Sequence, residues 1–143
     1  MFDTVGGYIR DVRTVLQDRV IPYRYSTHSL VRALNMALMD ARRIRPDLFI
    51  GYLDAVPQFY WSNAEDGAAN EDGDADDDDN PTWQEYVPMD LQFRPAFVAG
   101  IVSYALTRDQ EDIEDERATG FMKTFINTLT GVDVTKGKQP PKV

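Results

Sequence analysis

The sequence predicts a mainly α-helical protein: a four-helix bundle with a small β-hairpin excursion and a long acidic loop between the second and third helices. Hydrophobic residues recur at helical spacing in four segments, and prolines punctuate the chain between them. At 143 residues, 43% of them hydrophobic, the chain is long enough for one domain with one modest core. We expect a single helical domain over residues 1–131 and an extended C-terminal tail over residues 132–143.

The hydrophobic pattern of the first predicted helix runs over residues 3–17. Its apolar residues recur at spacings of three and four: Val5, Tyr8, Ile9, Val12, Val15 and Leu16. The spacing assigns Arg10, Asp11, Arg13 and Thr14 to the opposite, polar face. Gly6 and Gly7 predict a first turn that is weak or begins late, and Pro22 predicts an end near Ile21.

The second helix has the clearest pattern. Ser26 or Thr27 is suited to cap its beginning, and Pro46 ends it. Three arginines in its last turn complement the helix dipole. The buried stripe consists of Leu30, Leu34, Ala37, Leu38, Ala41 and Ile44.

The chain from residue 47 to residue 94 changes character. The runs at residues 48–53 and 57–61 are apolar or aromatic and too short for helices, and residues 82–94 alternate roughly between apolar and polar. These patterns are typical of strands, so we predict a hairpin or strand pair with residues 63–80 as its loop. A loop of that length inside a domain is usually functional or disordered.

Pro95 suits the first turn of a third helix, whose stripe contains Phe97, Ile101, Tyr104 and Ala105. A fourth helix is predicted from about residue 109 to 129, with Ile113, Phe121, Phe125 and Leu129 on its buried face. Gly131 is suited to end it. The tail beyond has three lysines and little apolar content, so it cannot form a core of its own.

The net charge of −9 comes from one short stretch. Nine acidic residues and no Lys or Arg lie between Glu65 and Asp79, and the other 15 acidic residues balance the 15 Lys and Arg. The stretch includes Asp72, Asp74, Asp76, Asp77, Asp78 and Asp79. Three interpretations remain open: a solvated charge run, a surface that repels DNA phosphates, or a docking site for a basic partner.

The sequence offers little for catalysis or for metal and cofactor binding. There are no cysteines, and His28, the only histidine, begins a helix as a surface or capping residue. An EF-hand loop opening at Asp72 would need Gly in place of Asp77 and Glu in place of Trp83. No phosphate-binding, dinucleotide-binding or hydrolase motif is present, so we expect a protein that is not an enzyme and needs no metal or cofactor. No signal peptide or membrane span is recognisable, so we expect a soluble protein made in the cytoplasm.

Two stretches resemble the head-to-tail connector (adaptor) proteins of tailed bacteriophages. Residues 24–49 resemble a signature that opens the second helix of that family. Its matching residues are Arg24, Tyr25, Ser26, Leu30, Leu34, Asn35, Ala37, Arg45, Pro46 and Asp47. Residues 93–129 resemble the helical pair of the family, with matches at Pro95, Ala96, Ala105, Asp109, Glu111, Asp112, Phe125 and Leu129. Residues 12–18 resemble its first helix, whereas Gly100 and the acidic stretch depart from the pattern.

The resemblance implies a virion protein at the head–tail junction, assembled in the host cytoplasm. Identical subunits, commonly twelve, would form a ring beneath the portal, bind tail or nozzle proteins, and let DNA pass without sequence-specific binding. We expect the tail residues to bind the portal or a neighbouring subunit, the alternative being a disordered terminus. These residues are Thr135, Lys136, Lys138, Pro140, Pro141, Lys142 and Val143. A rival hypothesis is an acidic binding module or DNA mimic that captures a basic protein.

Overall fold

The computed structural model describes residues 2–18, 25–52, 56–61, 81–108 and 115–131. This part of the chain is mainly helical, as predicted. Its helices are α1 (Val5–Leu16), α2 (Thr27–Ile44), the short α3 (Pro81–Gln84), α4 (Arg94–Arg108) and α5 (Asp115–Thr130). Two 3-10 segments, Pro46–Tyr52 and Leu91–Phe93, lie between them. None of these helices is long and apolar enough to cross a bilayer.

Helix α1 begins at Val5, two residues after the start of the predicted pattern, and its first turn includes Gly6 and Gly7. Thr4 caps it, because its hydroxyl oxygen accepts a hydrogen bond from the amide of Gly7 at 3.1 Å. Gly6 is there for packing: a Cβ at this position would lie 2.4 Å from the Trp83 ring. The helix ends before the predicted boundary because Gln17 adopts a left-handed conformation, with φ of 59°.

Helix α2 follows its prediction closely. Ser26 is the cap, with its hydroxyl oxygen 3.0 Å from the amide of Ser29, and the helix ends two residues before Pro46. The predicted stripe from Leu30 to Ala41 is buried, and Ile44 is half-buried at the edge of the core.

The predicted β-hairpin is wrong within the described residues. The segment Pro46–Tyr52 coils into 3-10 turns with a kink at Phe49, and residues 81–84 are helical. The only β pairing in the described ranges is an isolated antiparallel bridge between Thr4 and Tyr86. Burial does alternate along residues 57–61, with Phe59 and Trp61 buried and Gln58 and Tyr60 exposed, but within the described ranges no strand pairs with them. The acidic loop, residues 63–80, lies outside the described residues.

Helix α4 lies at the centre of the packing. Its most extensive contacts are with α5, followed by α2 and then α1. The described part has four long helices. Because α4 contacts the other three to unequal extents, their packing does not support the predicted four-helix bundle. Pro95 is in the first turn of α4, and α5 ends just before Gly131, whose φ is 81°, both as predicted.

The contact between α4 and α5 depends on a small residue. A Cβ at Gly100 would lie 2.9 Å from the Phe125 ring, so glycine allows this phenylalanine to reach the backbone of α4. Beside it, the buried hydroxyl of Ser103 donates a hydrogen bond to the carbonyl of Ala118 at 2.8 Å. Gly100, a departure from the connector pattern, thus has a structural reason in this chain.

We expect Gly6→Ala to lower the free energy of unfolding by about 1–3 kcal/mol, because the added methyl group overlaps the Trp83 ring. Gly120→Ala is the matched control. It adds the same methyl group to a helix at a site with no atom within 4 Å, and should raise stability by up to about 1 kcal/mol. Urea unfolding of both variants measures the difference. Equal effects of the two substitutions would contradict the packing role of Gly6.

Candidate functional site

The two predicted sets of functional residues lie outside the described part of the chain. The tail residues from Thr135 to Val143 and the acidic residues from Asp72 to Asp79 therefore stay predictions. His28 is described: it is the second residue of α2 and lies half-buried beside residues 59–61. Within the described ranges, no three His, Asp or Glu side chains are close enough together to hold a metal ion.

A buried arginine joins α1 to the start of α2. Arg13 donates hydrogen bonds to the carboxylate of Asp18, the carbonyl of Tyr25 and the hydroxyl of Thr27, each at 3.0 Å. Asp18 in turn accepts from the amide of Tyr25 at 2.9 Å. Helical spacing predicted Arg13 on the polar face, which is wrong, since its side chain is 3% exposed. Its position four residues after the buried Ile9 was the signal that could have revealed this.

A second arginine joins the end of α2 to the end of α5. Arg45 forms a two-point contact with Asp47, with N–O distances of 2.9 and 2.7 Å, and donates to the carbonyl of Leu129 at 2.6 Å. Its guanidinium also lies 5.7 Å from the centre of the Phe93 ring. The hydrogen bond from Arg45 lowers the pKa of Asp47. Arg45 and Asp47 are the charged residues of the matched motif formed by residues 45–47. Together they hold the end of α2 against the end of α5.

Asn35 attaches the central segment to α2. Its side-chain amide donates to the carbonyl of Phe59 at 2.8 Å, and its side-chain oxygen accepts from the amide of Phe59 at 3.0 Å. An asparagine side chain here satisfies both backbone groups of one residue, as a neighbouring strand would. Residues 56–61 therefore run along α2 without forming a sheet.

A third arginine joins the start of α4 to α1, and no sequence pattern pointed to it. Arg94 binds the carboxylates of Asp3 and Asp11, the latter at 2.6 Å, and donates to the carbonyl of Gly7 at 3.2 Å. Its guanidinium lies 4.6 Å from the centre of the Tyr8 ring. The Tyr8 ring also packs edge-on against Phe97, at 5.1 Å between centres.

Two tyrosines in this framework have raised pKa values for related reasons. Burial raises the pKa of Tyr8 to about 12, and its hydroxyl has no hydrogen-bond partner. Burial, followed by the hydrogen bond to Asp40, raises the pKa of Tyr104 to about 12. The Tyr104–Asp40 bond connects α4 to α2 from the side opposite Asn35.

A groove with aromatic walls lies on the surface of the described residues. It has a volume of about 300 Å³ and lies between the first turns of α2 and the segment around residues 59–61. The walls are held in place: Asn35 binds Phe59, Thr82 donates a hydrogen bond to the carbonyl of Tyr60, and Trp61 packs edge-on against Trp83 at 5.7 Å. The lining consists of His28, Val31, Arg32, Asn35, Phe59, Tyr60 and Trp61. We call this cavity the α2 groove.

The outer face of α2 next to the groove exposes large apolar side chains. Arg32, Met36, Met39 and Arg43 recur at spacings of three and four, so they share one face, and both methionines are 45% exposed. Tyr60, at the groove, is 77% exposed. Tyr52, whose carbonyl accepts a hydrogen bond from Arg42, is 40% exposed. We call the set Met36, Met39, Tyr52 and Tyr60 the α2 surface.

The α2 surface and the α2 groove lie side by side on the helical frame. No protein-family model matches the chain, and no curated protein or solved structure shows significant similarity to it.

We expect Tyr8→Phe to leave the free energy of unfolding unchanged or to raise it, since it removes a buried hydroxyl without a partner. Tyr104→Phe removes the hydrogen bond to Asp40 and should lower the free energy of unfolding by about 1 kcal/mol.

Each raised tyrosine pKa means that the folded state holds its tyrosine proton more tightly than the unfolded state does. Wild-type stability should therefore fall as the pH rises from the ordinary tyrosine range toward 12, and less steeply in each variant. Denaturant unfolding at neutral and alkaline pH measures both effects, and a larger loss in Tyr8→Phe than in Tyr104→Phe would contradict them.

Proposed function

We propose that this chain is a structural subunit that forms a ring at the head–tail junction of a tailed bacteriophage. The ring would join the portal to the tail and continue the DNA passage. The observation that carries the proposal is that four residues matching the connector motifs make contacts that shape the described fold. Ser26 caps α2, Asn35 holds residue 59, and Arg45 with Asp47 holds the end of α5. Matches at positions with a structural role favour a shared frame over a chance helical pattern.

The α2 surface supports a role in assembly. A ring of identical subunits needs one face of each subunit to complement a different face of its neighbour. Exposed methionines and tyrosines beside arginines are the residue types that protein interfaces favour. Large apolar side chains that are exposed on one face suggest an interface with another protein that is uncovered in the isolated chain.

The acidic stretch fits a passage for DNA. If each subunit turned its nine carboxylates toward the centre of a ring, the summed field would repel phosphates and keep DNA from adhering. The lysine-bearing tail would supply an attachment to the portal or to a neighbour. Both ideas concern residues beyond the described ranges and rest on the sequence.

The native mass of the purified protein, alone and mixed with a candidate portal assembly, tests the proposal. We expect a ring, formed either alone or stoichiometrically on the portal. A Met36→Glu/Met39→Glu double variant should keep the stability of the single subunit but lose assembly, because it places charge on the α2 surface. Thr124→Glu, on the exposed face of α5, is the matched control and should assemble normally. A stable monomer that ignores the portal would refute the proposal, and full portal binding after deletion of residues 132–143 would refute the role of the tail.

Replacing Asp76, Asp77, Asp78 and Asp79 by asparagine tests the role of the acidic stretch. We expect ring assembly to be unchanged and DNA packaging or exit to be slowed, since four repelling charges per subunit are lost. Packaging and infectivity assays provide the measurement, and normal values in both would discard the idea. Strongly salt-dependent capture of a basic protein by a monomer or dimer would instead favour the acidic binding module.

A further inference from the structure

A second set of large apolar side chains is exposed where the start of α1 meets residues 85–91. Phe2, Tyr86 and Leu91 are 43%, 67% and 37% exposed. Thr4 pairs with Tyr86 in the antiparallel bridge, and Phe2, two residues before Thr4, is therefore a diagonal neighbour of Tyr86. Two acidic residues of the same segment are exposed as well. We call this set the N-terminal surface, and its members are Phe2, Glu85, Tyr86, Asp90 and Leu91.

The N-terminal surface carries a net negative charge. The carboxylates on it and next to it are Asp3, Asp11, Glu85 and Asp90. Arg94 binds two of them, and Asp90 lies near the same group, because it adds to the effect of burial in raising the pKa of Tyr8. Arg10 on α1 lies 5.4 Å from the centre of the Trp83 ring and is the second cation to be counted. Four carboxylates against two guanidinium groups leave a net charge of −2.

The α2 surface carries the opposite charge. Arg32 and Arg43 lie on the same face of α2 as the two exposed methionines, and Arg42 donates a hydrogen bond to the carbonyl of Tyr52. Asp40 is the only acidic residue of α2, and it contacts Arg43 at 3.4 Å while the Arg43 side chain stays 73% exposed. Three guanidinium groups against one carboxylate leave a net charge of +2. Two copies of the α2 surface would therefore repel each other, which disfavours its pairing with itself.

We propose that the α2 surface of one subunit binds the N-terminal surface of a second copy of the chain. Each surface exposes apolar side chains that the other would cover, and the net charges of the two surfaces are opposite. Because the two surfaces consist of different residues, each subunit can bind one neighbour at each of them, and repetition of such a contact closes a ring or extends a filament. The inference rests on the proposed function, since it names the partner of the α2 surface.

A mixture of two full-length variants tests the contact. Met36→Glu/Met39→Glu disables the α2 surface and keeps the N-terminal surface, whereas Phe2→Ser/Tyr86→Ser/Leu91→Ser does the reverse. All five side chains are at least 37% exposed, so both variants should fold. Each variant alone should stay monomeric in sedimentation equilibrium. Mixed in equal amounts, they should form a one-to-one pair with twice the mass of the subunit and nothing larger, because only one intact surface of each kind is present in the pair.

Ile126→Ser is the matched control, because Ile126 is exposed to nearly the same extent as Leu91, 38% against 37%, but lies on α5. Added to either variant, it should leave the pair intact. The proposal fails if the mixture stays monomeric. It also fails if the serine variant pairs with itself, since the α2 surface would then bind a second α2 surface. Loss of the pair when residues 76–79 are changed to asparagine would assign the occupant to the acidic stretch and overturn the proposal.

The results separate this contact from the proposed function. A one-to-one pair, formed by a chain whose wild-type subunits make no ring alone or on a portal, would support the contact and refute the proposed function. A ring of wild-type subunits on the portal, with no pair in the mixture, would support the proposed function and refute the contact.

Discussion

The burial of α4 is the constraint on which the rest of the structure depends. From Ala96 to Leu106 nearly every residue of this helix is buried, so it has no face that can be left to solvent. A helix that is apolar all round must be enclosed by other elements. Helices α5, α2 and α1 enclose it to decreasing extents, and Gly100 lets α5 approach closely enough for Phe125 to cover the backbone.

The helices that enclose α4 have backbone carbonyls at or near their ends that need hydrogen-bond donors. Arginine side chains provide several of these donors. Arg13, Arg45 and Arg94 each contact a carboxylate and at least one backbone carbonyl from another part of the chain. A guanidinium suits this role because its planar fork offers several donors in fixed directions. Of the three, only Arg13 is fully buried, and burying a charge is favourable only when it is well paired.

The sequence predicted the helices well and the connections poorly. Helix α2 could be predicted because capping by Ser26, a regular stripe and Pro46 all indicate the same boundaries. The predicted hairpin is wrong because alternating aromatic residues fit a strand and an extended segment held by side chains equally well. Only tertiary contacts such as that of Phe59 with Asn35 decide between them. Arg94 could not have been assigned, since its partners Asp3 and Asp11 lie more than eighty residues away in the chain. The α2 groove was beyond prediction for the same reason, because its two walls come from separate segments.

The positions of the exposed groups suggest a division of roles within this small chain. Arg45, Asn35 and Tyr104 hold α2 from its end and from both sides, which leaves its outer face as a rigid support for the groups exposed there. The backbone of a surface carried by a fixed helix would lose little conformational entropy if it bound a partner. The acidic stretch and the tail carry opposite charges and lie apart from this frame in sequence. Because the remainder of the chain carries little net charge, most of the charge imbalance is separated in sequence from the residues that hold the helices together.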